Sequence, residues 1–215
     1  MKNKIDWIRA LAMALAVSLS SGTAALAAGP GDGLITIETG QTRYGTATPS
    51  ELPANSGIVR PVEKYSYMEM EQDIRELQAK YGGRMTVNVI GTSADGRNIY
   101  EIIVGNVNSG RHVMIQGAIH GREYMTPLLV MKQLETALEQ YDTGSYGGVS
   151  YASLFDQAAV HFLPMVNPDG VSISQYGMQG ITSPALRQLV QDAYAKDLAE
   201  GRTTQSLERY LTYWK

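Results

Sequence analysis

His112-Val113-Met114-Ile115-Gln116-Gly117-Ala118-Ile119 is an apolar run that leads directly into His120-Gly121-Arg122-Glu123. The run predicts a buried strand ending at His120, since short continuous apolar stretches bounded by turn residues suit strands inside a layered core. Downstream, Met125, Leu128, Leu129, Leu134 and Leu138 fall near helical spacing, which predicts a helix opening at Glu123. Gly121 lets the backbone turn between the two. A strand end carrying an imidazole and a helix start carrying a carboxylate can close both on one metal ion. Spacing alone is weak, because with three histidines in the chain a His-x-x-Glu arises by chance in roughly one such sequence in six. Its position between strand and helix is what gives it weight.

Working outward, Gly144 to Gly148 ends the helical stretch, and residues 158–166 form the next buried strand. That strand runs into Pro164-Met165-Val166-Asn167-Pro168-Asp169-Gly170, in which Pro-Asp-Gly is a good turn sequence by itself. Upstream, Ser66 and Glu69 make an S-x-x-E capping box for a helix whose apolar side is Met70, Ile74, Leu77 and Tyr81, stopped by Gly82-Gly83. Two strand-like runs follow at 85–90 and 98–105, joined by a turn containing Asp95-Gly96, with Arg97 behind it. A second turn spans 106–111. Past Gly170, residues 183–198, with Leu186, Leu189, Val190, Ala193 and Tyr194, predict an amphipathic helix. Helix, three strands, helix, strand is the opening of an α/β layered domain with a partly parallel sheet. In such sheets, sites gather at the carboxyl ends of strands, where both His120 and the Asn-Pro-Asp-Gly segment stand.

The N-terminus reads differently. Lys2, Lys4 and Arg9 precede an unbroken apolar stretch at 10–17, and Ala25-Leu26-Ala27 follows. This is the pattern of a cleaved signal peptide over residues 1–27, bacterial in style, with a core too short for the roughly 20 residues of a spanning helix. Residues 28–59, rich in Gly, Thr, Pro, Ser and Ala, read as a linker or pro-segment. The expected product is a secreted protein with no integral membrane segment, and a monomer. Its net charge, −3 over the whole chain, gives no basic excess for nucleic acid. The absence of cysteine leaves histidine and carboxylates as the ligands available to a transition metal.

Three segments in order carry a resemblance: Ile90-Gly91-Thr92-Ser93-Ala94-Asp95-Gly96-Arg97-Asn98-Ile99-Tyr100, then His120-Gly121-Arg122-Glu123, then Pro164-Met165-Val166-Asn167-Pro168-Asp169-Gly170. Over residues 60–215 the chain resembles the zinc carboxypeptidases of the carboxypeptidase A type, especially their secreted bacterial members. The resemblance implies the N-terminal part of a catalytic domain with a mixed, partly parallel sheet and helices on both faces. It implies one Zn2+ ion in the His₂Glu set that carboxypeptidase A uses, with His120 and Glu123 as two of the three ligands. Arg122 would line the substrate groove. Tyr210-Leu211-Thr212-Tyr213-Trp214-Lys215 resembles the stretch before the family's carboxylate-binding Asn-Arg segment, and Lys215 stands where pancreatic-type members carry an arginine. The Asn-Pro-Asp-Gly segment would be a shaping turn under the site and Asp169 not a base.

Two parts of the family pattern are expected beyond residue 215: the third ligand, a histidine, and the glutamate that acts as general base. His112 lies too far along its strand to share the ion with His120, and His161 sits inside an apolar strand, where it packs or hydrogen-bonds. The implied activity is hydrolysis of C-terminal bonds in peptides by a metal-activated water, with cell-wall peptides joined through γ-glutamyl-diamino acid bonds as a specialised substrate. Residues 28–215 alone are expected to hold zinc weakly, to lack peptidase activity and to show an exposed sheet edge. Two other classes fit less well. Zinc deacylases of the aspartoacylase or succinylglutamate type share His-x-x-Glu but generally lack Asn-Pro-Asp-Gly. A peptide-binding pseudoenzyme would have lost the metal.

Overall fold

A computed structural model describes residues 57–212 and two three-residue strands, Leu34–Thr36 (β1) and Thr42–Tyr44 (β2), which pair antiparallel. The expected signal peptide at 1–27 and the final Lys215 lie outside the described residues. Among the described residues, no helix is long and apolar enough to cross a membrane.

Helix α1 (Tyr67–Tyr81) opens on the expected capping box. Ser66 Oγ accepts from the Glu69 amide at 3.2 Å and the Glu69 carboxylate accepts from the Ser66 amide at 2.8 Å, which satisfies two donors that a helix start leaves unpaired. Met70, Ile74 and Leu77 are buried, as their spacing requires. Strands β3 (Met85–Thr92) and β4 (Asn98–Gly105) form the expected hairpin. Its turn needs Gly96, which sits at φ +84°, a region that costs other residues energy.

Strand β5 (His112–Gln116), helix α2 (Met125–Glu139) and strand β8 (Ala159–Leu163) follow in the expected order. Between α2 and β8 the chain adds a small hairpin, β6 (Ser145–Tyr146) and β7 (Val149–Ser150), and helix α3 (Tyr151–Gln157). The main sheet has the order β3-β4-β8-β5, with β5 parallel to β8 and the other pairs antiparallel. This is the mixed, partly parallel α/β sheet anticipated from the sequence. Ile102, Val104, Val160 and Phe162 form the buried face, against Met70, Ile74 and Leu77 of α1, Val130, Met131, Leu134 and Leu138 of α2, and Leu154 and Phe155 of α3. Among the described residues, the helices packed on the sheet share this one face.

The opposite face carries a polar row that crosses all four strands. Asn88 Nδ2 donates to Glu101 at 3.0 Å, Glu101 meets His161 Nδ1 at 2.8 Å, and His161 Nε2 meets His112 Nδ1 at 2.8 Å. His161 therefore hydrogen-bonds from inside its strand, as expected, to Glu101 of β4 on one side and His112 of β5 on the other.

Three elements differ from the sequence expectation. β5 is half-exposed rather than buried, because among the described residues it is an edge strand whose outward residues His112, Met114 and Gln116 face solvent. It stops at Gln116, four residues before His120. There the ladder slips by one residue: the Gly117 amide still donates to the Leu163 carbonyl at 3.0 Å, but the Gly117 carbonyl accepts from the Val166 amide at 3.1 Å instead of from Met165. Helix α2 begins at Met125 rather than at Glu123, and its buried stripe is Val130, Met131, Leu134 and Leu138, while Met125 and Leu129 are exposed. The third difference is at Asn167-Pro168-Asp169-Gly170. It is a helix start rather than a free turn: α4 (Pro168–Tyr176) has Asn167 as N-cap and Pro168 in its first turn, positions that suit both residue types.

Helix α5 (Pro184–Ala199) is capped by Ser183 close to its expected limits, but only Val190 is buried and Leu189 is exposed. With Ile181 and with Leu211 of α6 (Leu207–Thr212), Val190 makes a second small apolar cluster, joined to α4 by Ile173.

Candidate metal centre

The three sequence motifs, spread over some 80 residues, meet in one place. At its base is Asp169, in the first turn of α4, where the helix dipole favours an anion. Its Oδ1 accepts from Ser93 Oγ and from Arg97 Nη1, both at 2.7 Å, and its Oδ2 accepts from the Asp95 amide at 2.9 Å. The β3–β4 turn is thus bolted to the start of α4. Arg97 also bonds Asp95 Oδ2 through Nη1 and the Gly180 carbonyl through Nη2, each at 2.7 Å.

Asp95 in turn accepts from the Thr182 amide (2.8 Å) and the Ser183 amide (2.6 Å), at the entrance to α5. Burial pushes its carboxyl upward, but the Thr182 and Ser183 N–H groups and the Arg97 guanidinium outweigh burial and hold it below the usual aspartate range.

The start of α4 also carries the loop 117–121. The Val166 and Asn167 amides donate to the carbonyls of Gly117 and Ala118, both at 3.1 Å, and Asn167 Nδ2 donates to the Ile119 carbonyl at 3.2 Å. Gly121 lies directly on Gly170: a Cβ added at 121 would be 2.3 Å from the Gly170 carbonyl oxygen. Ala118 is forced to φ +52°, a conformation that non-glycine residues keep only where surrounding contacts hold it. Here the hold comes from both sides, since the Ala118 amide donates to Thr126 Oγ1 at 2.7 Å and its carbonyl accepts from Asn167. Thr126 Oγ1 donates onward to the Glu123 carbonyl at 2.8 Å.

On this braced loop His120 Nδ1 stands 2.9 Å from Glu123 Oε1, with about half of each side chain open to solvent (53% and 47%). One nitrogen and one carboxylate oxygen are ligands that zinc accepts, and two donors sharing a tetrahedral zinc ion lie about 3.3 Å apart. The observed separation is close to that, so the pair fits a zinc ion with a small adjustment. Among the described residues, no group of three or more His, Asp or Glu side chains converges there. Arg122 is exposed beside the pair, and His112 and His161 are engaged with each other on the open sheet face. A cavity of about 140 Å³ between Arg60, Tyr65 and Asp73 shares no residue with the site.

Sequence reasoning brought out His120, Glu123 and the three motifs. It missed Ala118, Thr126 and Ser93 as braces, and gave the Asp95-Gly96-Arg97 and Asn167-Pro168-Asp169-Gly170 segments separate turn roles. The available signal was charge: an aspartate on each turn and an arginine between them in sequence.

Known proteins resemble the chain over part of their length. The chain is 30% identical over 117 residues to gamma-D-glutamyl-L-diamino acid endopeptidase 1 of Lysinibacillus sphaericus, covering 54% of this chain and 29% of that protein. It is 27% identical over 114 residues to metallocarboxypeptidase A of Trichophyton rubrum, covering 52% of this chain and 26% of the relative. It therefore spans less than a third of the length of either. Among solved structures, thrombin activatable fibrinolysis inhibitor shares the fold with a TM-score of 0.50 at 18% identity, over 60% of this chain and 31% of that one. The model of the zinc carboxypeptidase family matches residues 70–200, more than half of the chain, and the protein belongs to that family.

Proposed function

We propose that the chain supplies part of the active centre of an exported zinc metallocarboxypeptidase, with His120 and Glu123 as two ligands of one Zn2+ ion. The observation that carries this is the 2.9 Å approach of His120 Nδ1 to Glu123 Oε1 on a loop braced by both other motif segments. When bound, zinc supplies Lewis-acid polarisation of a carbonyl and lowers the pKa of a water molecule. Arg122, exposed beside the pair, binds the carbonyl or carboxylate groups of a peptide, and Lys215 adds a second cation. A third ligand and a general base complete the site from outside the described residues.

The substrate is a peptide cleaved at its C-terminal bond. A cell-wall peptide with a γ-glutamyl-diamino acid bond is the specialised form, favoured by similarity to the Lysinibacillus endopeptidase. The test is zinc uptake by the purified chain in equilibrium dialysis, beside Glu123→Gln and His120→Ala. Both substitutions should abolish specific uptake. Uptake equal to that of the unsubstituted chain would remove the ligand assignment. Because residues 28–215 alone are expected to lack turnover, binding of peptides ending in ordinary and in γ-D-glutamyl-diamino acid bonds, measured by calorimetry, then separates the two substrate forms.

A further inference from the structure

We propose that Arg97 and Asp169 are positioning residues for the His120–Glu123 pair, acting through Asn167 and Gly170. Granted the zinc site proposed above, they decide how well the two ligand atoms are presented without touching the ion.

Asp169 is flanked in sequence by the residues that carry the ligand loop. Two residues before it, Asn167 donates from its amide to Ala118 and from its side chain to Ile119, the two residues preceding His120. One residue after it, the Gly170 carbonyl is packed against Gly121, the residue following His120. The backbone on both sides of His120 therefore rests on the first turn of α4. What fixes that turn in rotation is Asp169, whose two oxygens take three donors from the β3–β4 turn. Arg97 is fixed in its turn by Asp95 and by the Gly180 carbonyl.

A purely stabilising role fits these residues poorly. Arg97 and Asp169 are only 11% and 14% exposed in their side chains, and a buried ion pair returns little net stability against its desolvation cost. What a guanidinium and a carboxylate with several bonds do supply is direction, because the donors lie in a rigid plane. The direction is needed here because the Gly121–Gly170 contact has no slack and Ala118 is held at positive φ. A small rotation of the α4 start would press Gly170 into Gly121 and displace His120 relative to Glu123. Changes in such outer groups typically lower metal affinity about 10- to 100-fold.

The experiment uses the chain itself with Arg97→Lys, Asp169→Asn and the milder Ser93→Ala, measuring Co2+ affinity and the visible absorption spectrum of the bound Co2+. Backbone amide and His120 ring resonances are recorded without metal. Arg97→Lys keeps the charge and loses the fork, so a charge-only role leaves it like the unsubstituted chain. Positioning requires Arg97→Lys and Asp169→Asn to weaken Co2+ binding at least tenfold, to shift its spectrum and to move the metal-free resonances of His120 and Gly121. Unchanged affinity, spectrum and resonances overturn the positioning role while leaving the zinc reading intact. If the unsubstituted chain binds no more Co2+ than His120→Ala, the zinc reading falls instead, and the metal-free resonances alone decide whether Arg97 and Asp169 set the loop. Should Asp169→Asn fail to fold, Arg97→Lys and Ser93→Ala carry the same comparison.

Discussion

Gly121 and Gly170 meet backbone to backbone: a Cβ on Gly121 would lie 2.3 Å from the Gly170 carbonyl oxygen and 2.5 Å from its carbonyl carbon. Both partners are main chain, so no side chain can swing aside. Gly121→Ala is expected to destabilise the protein by about 1–3 kcal/mol, the usual range for overpacking, and to reduce zinc uptake by displacing His120. Urea unfolding midpoints and equilibrium dialysis check the two effects. A fully stable variant with normal uptake would mean that the loop has freedom these contacts deny it.

Asp95 joins the β3–β4 turn to the entrance of α5, and its carboxyl is held below the usual range, so its contribution has a definite pH sign. A group whose folded pKa is depressed stabilises above its unfolded value, about 3.9 for aspartate, and that contribution is lost as pH falls through the lower folded value. Asp95→Asn should therefore cost about 1 kcal/mol at neutral pH and progressively less in acid. Denaturant midpoints of both proteins from pH 7 downward test this. A gap independent of pH would show that the ionised form is not what Thr182 and Ser183 recognise.

Much of this fold is legible in the sequence, for identifiable reasons. The Ser66–Glu69 box, the β3–β4 hairpin around Gly96 and the strand at 159–163 rest on local chemistry, and local chemistry decides them. The end of β5 is not local, because it depends on the Val166 amide, 49 positions along the chain, taking the Gly117 carbonyl out of the regular register. Nor is the helical state of Asn167-Pro168-Asp169-Gly170 readable alone, since the same residues suit a turn and a helix start equally well. His120 and Glu123 stand out by type and spacing. The clamp beneath them stays hidden, because Arg97 and Asp169 are each ordinary in their own segment and acquire a joint role only when folding brings them to 2.7 Å.

At the edge of the sheet, β5 presents Val113 to Ile115 with no charge, proline or bulge, and Met114 is 63% exposed. Flat apolar edges pair with other chains unless charge blocks them. Concentration-dependent self-association is expected for the chain, and Met114→Lys should suppress it while leaving the fold unchanged. Light scattering after size-exclusion chromatography over a range of loading concentrations measures this. Equal association by both proteins would place the contact elsewhere.

The row Asn88–Glu101–His161–His112 has a direction that can be measured. Glu101 is held below the usual glutamate range by Asn88 first and His161 second, so it is ionised at neutral pH and accepts from His161 Nδ1. In its neutral form, His161 then has only a lone pair on Nε2, and the bond to His112 must be donated by His112 Nδ1. Glu101→Gln removes this constraint, because an amide can offer either its oxygen or its N–H to His161. The His112–His161 bond should weaken although Glu101 bonds only to Asn88 and His161 in the row. A double-mutant cycle of Glu101→Gln with His112→Ala should thus show a coupling of about 0.5–1 kcal/mol at neutral pH. The coupling should vanish when His161→Gln is the common background, because the relay passes through that ring. Additive effects in the chain with His161 intact would sink the relay and leave three separate hydrogen bonds on an open sheet face.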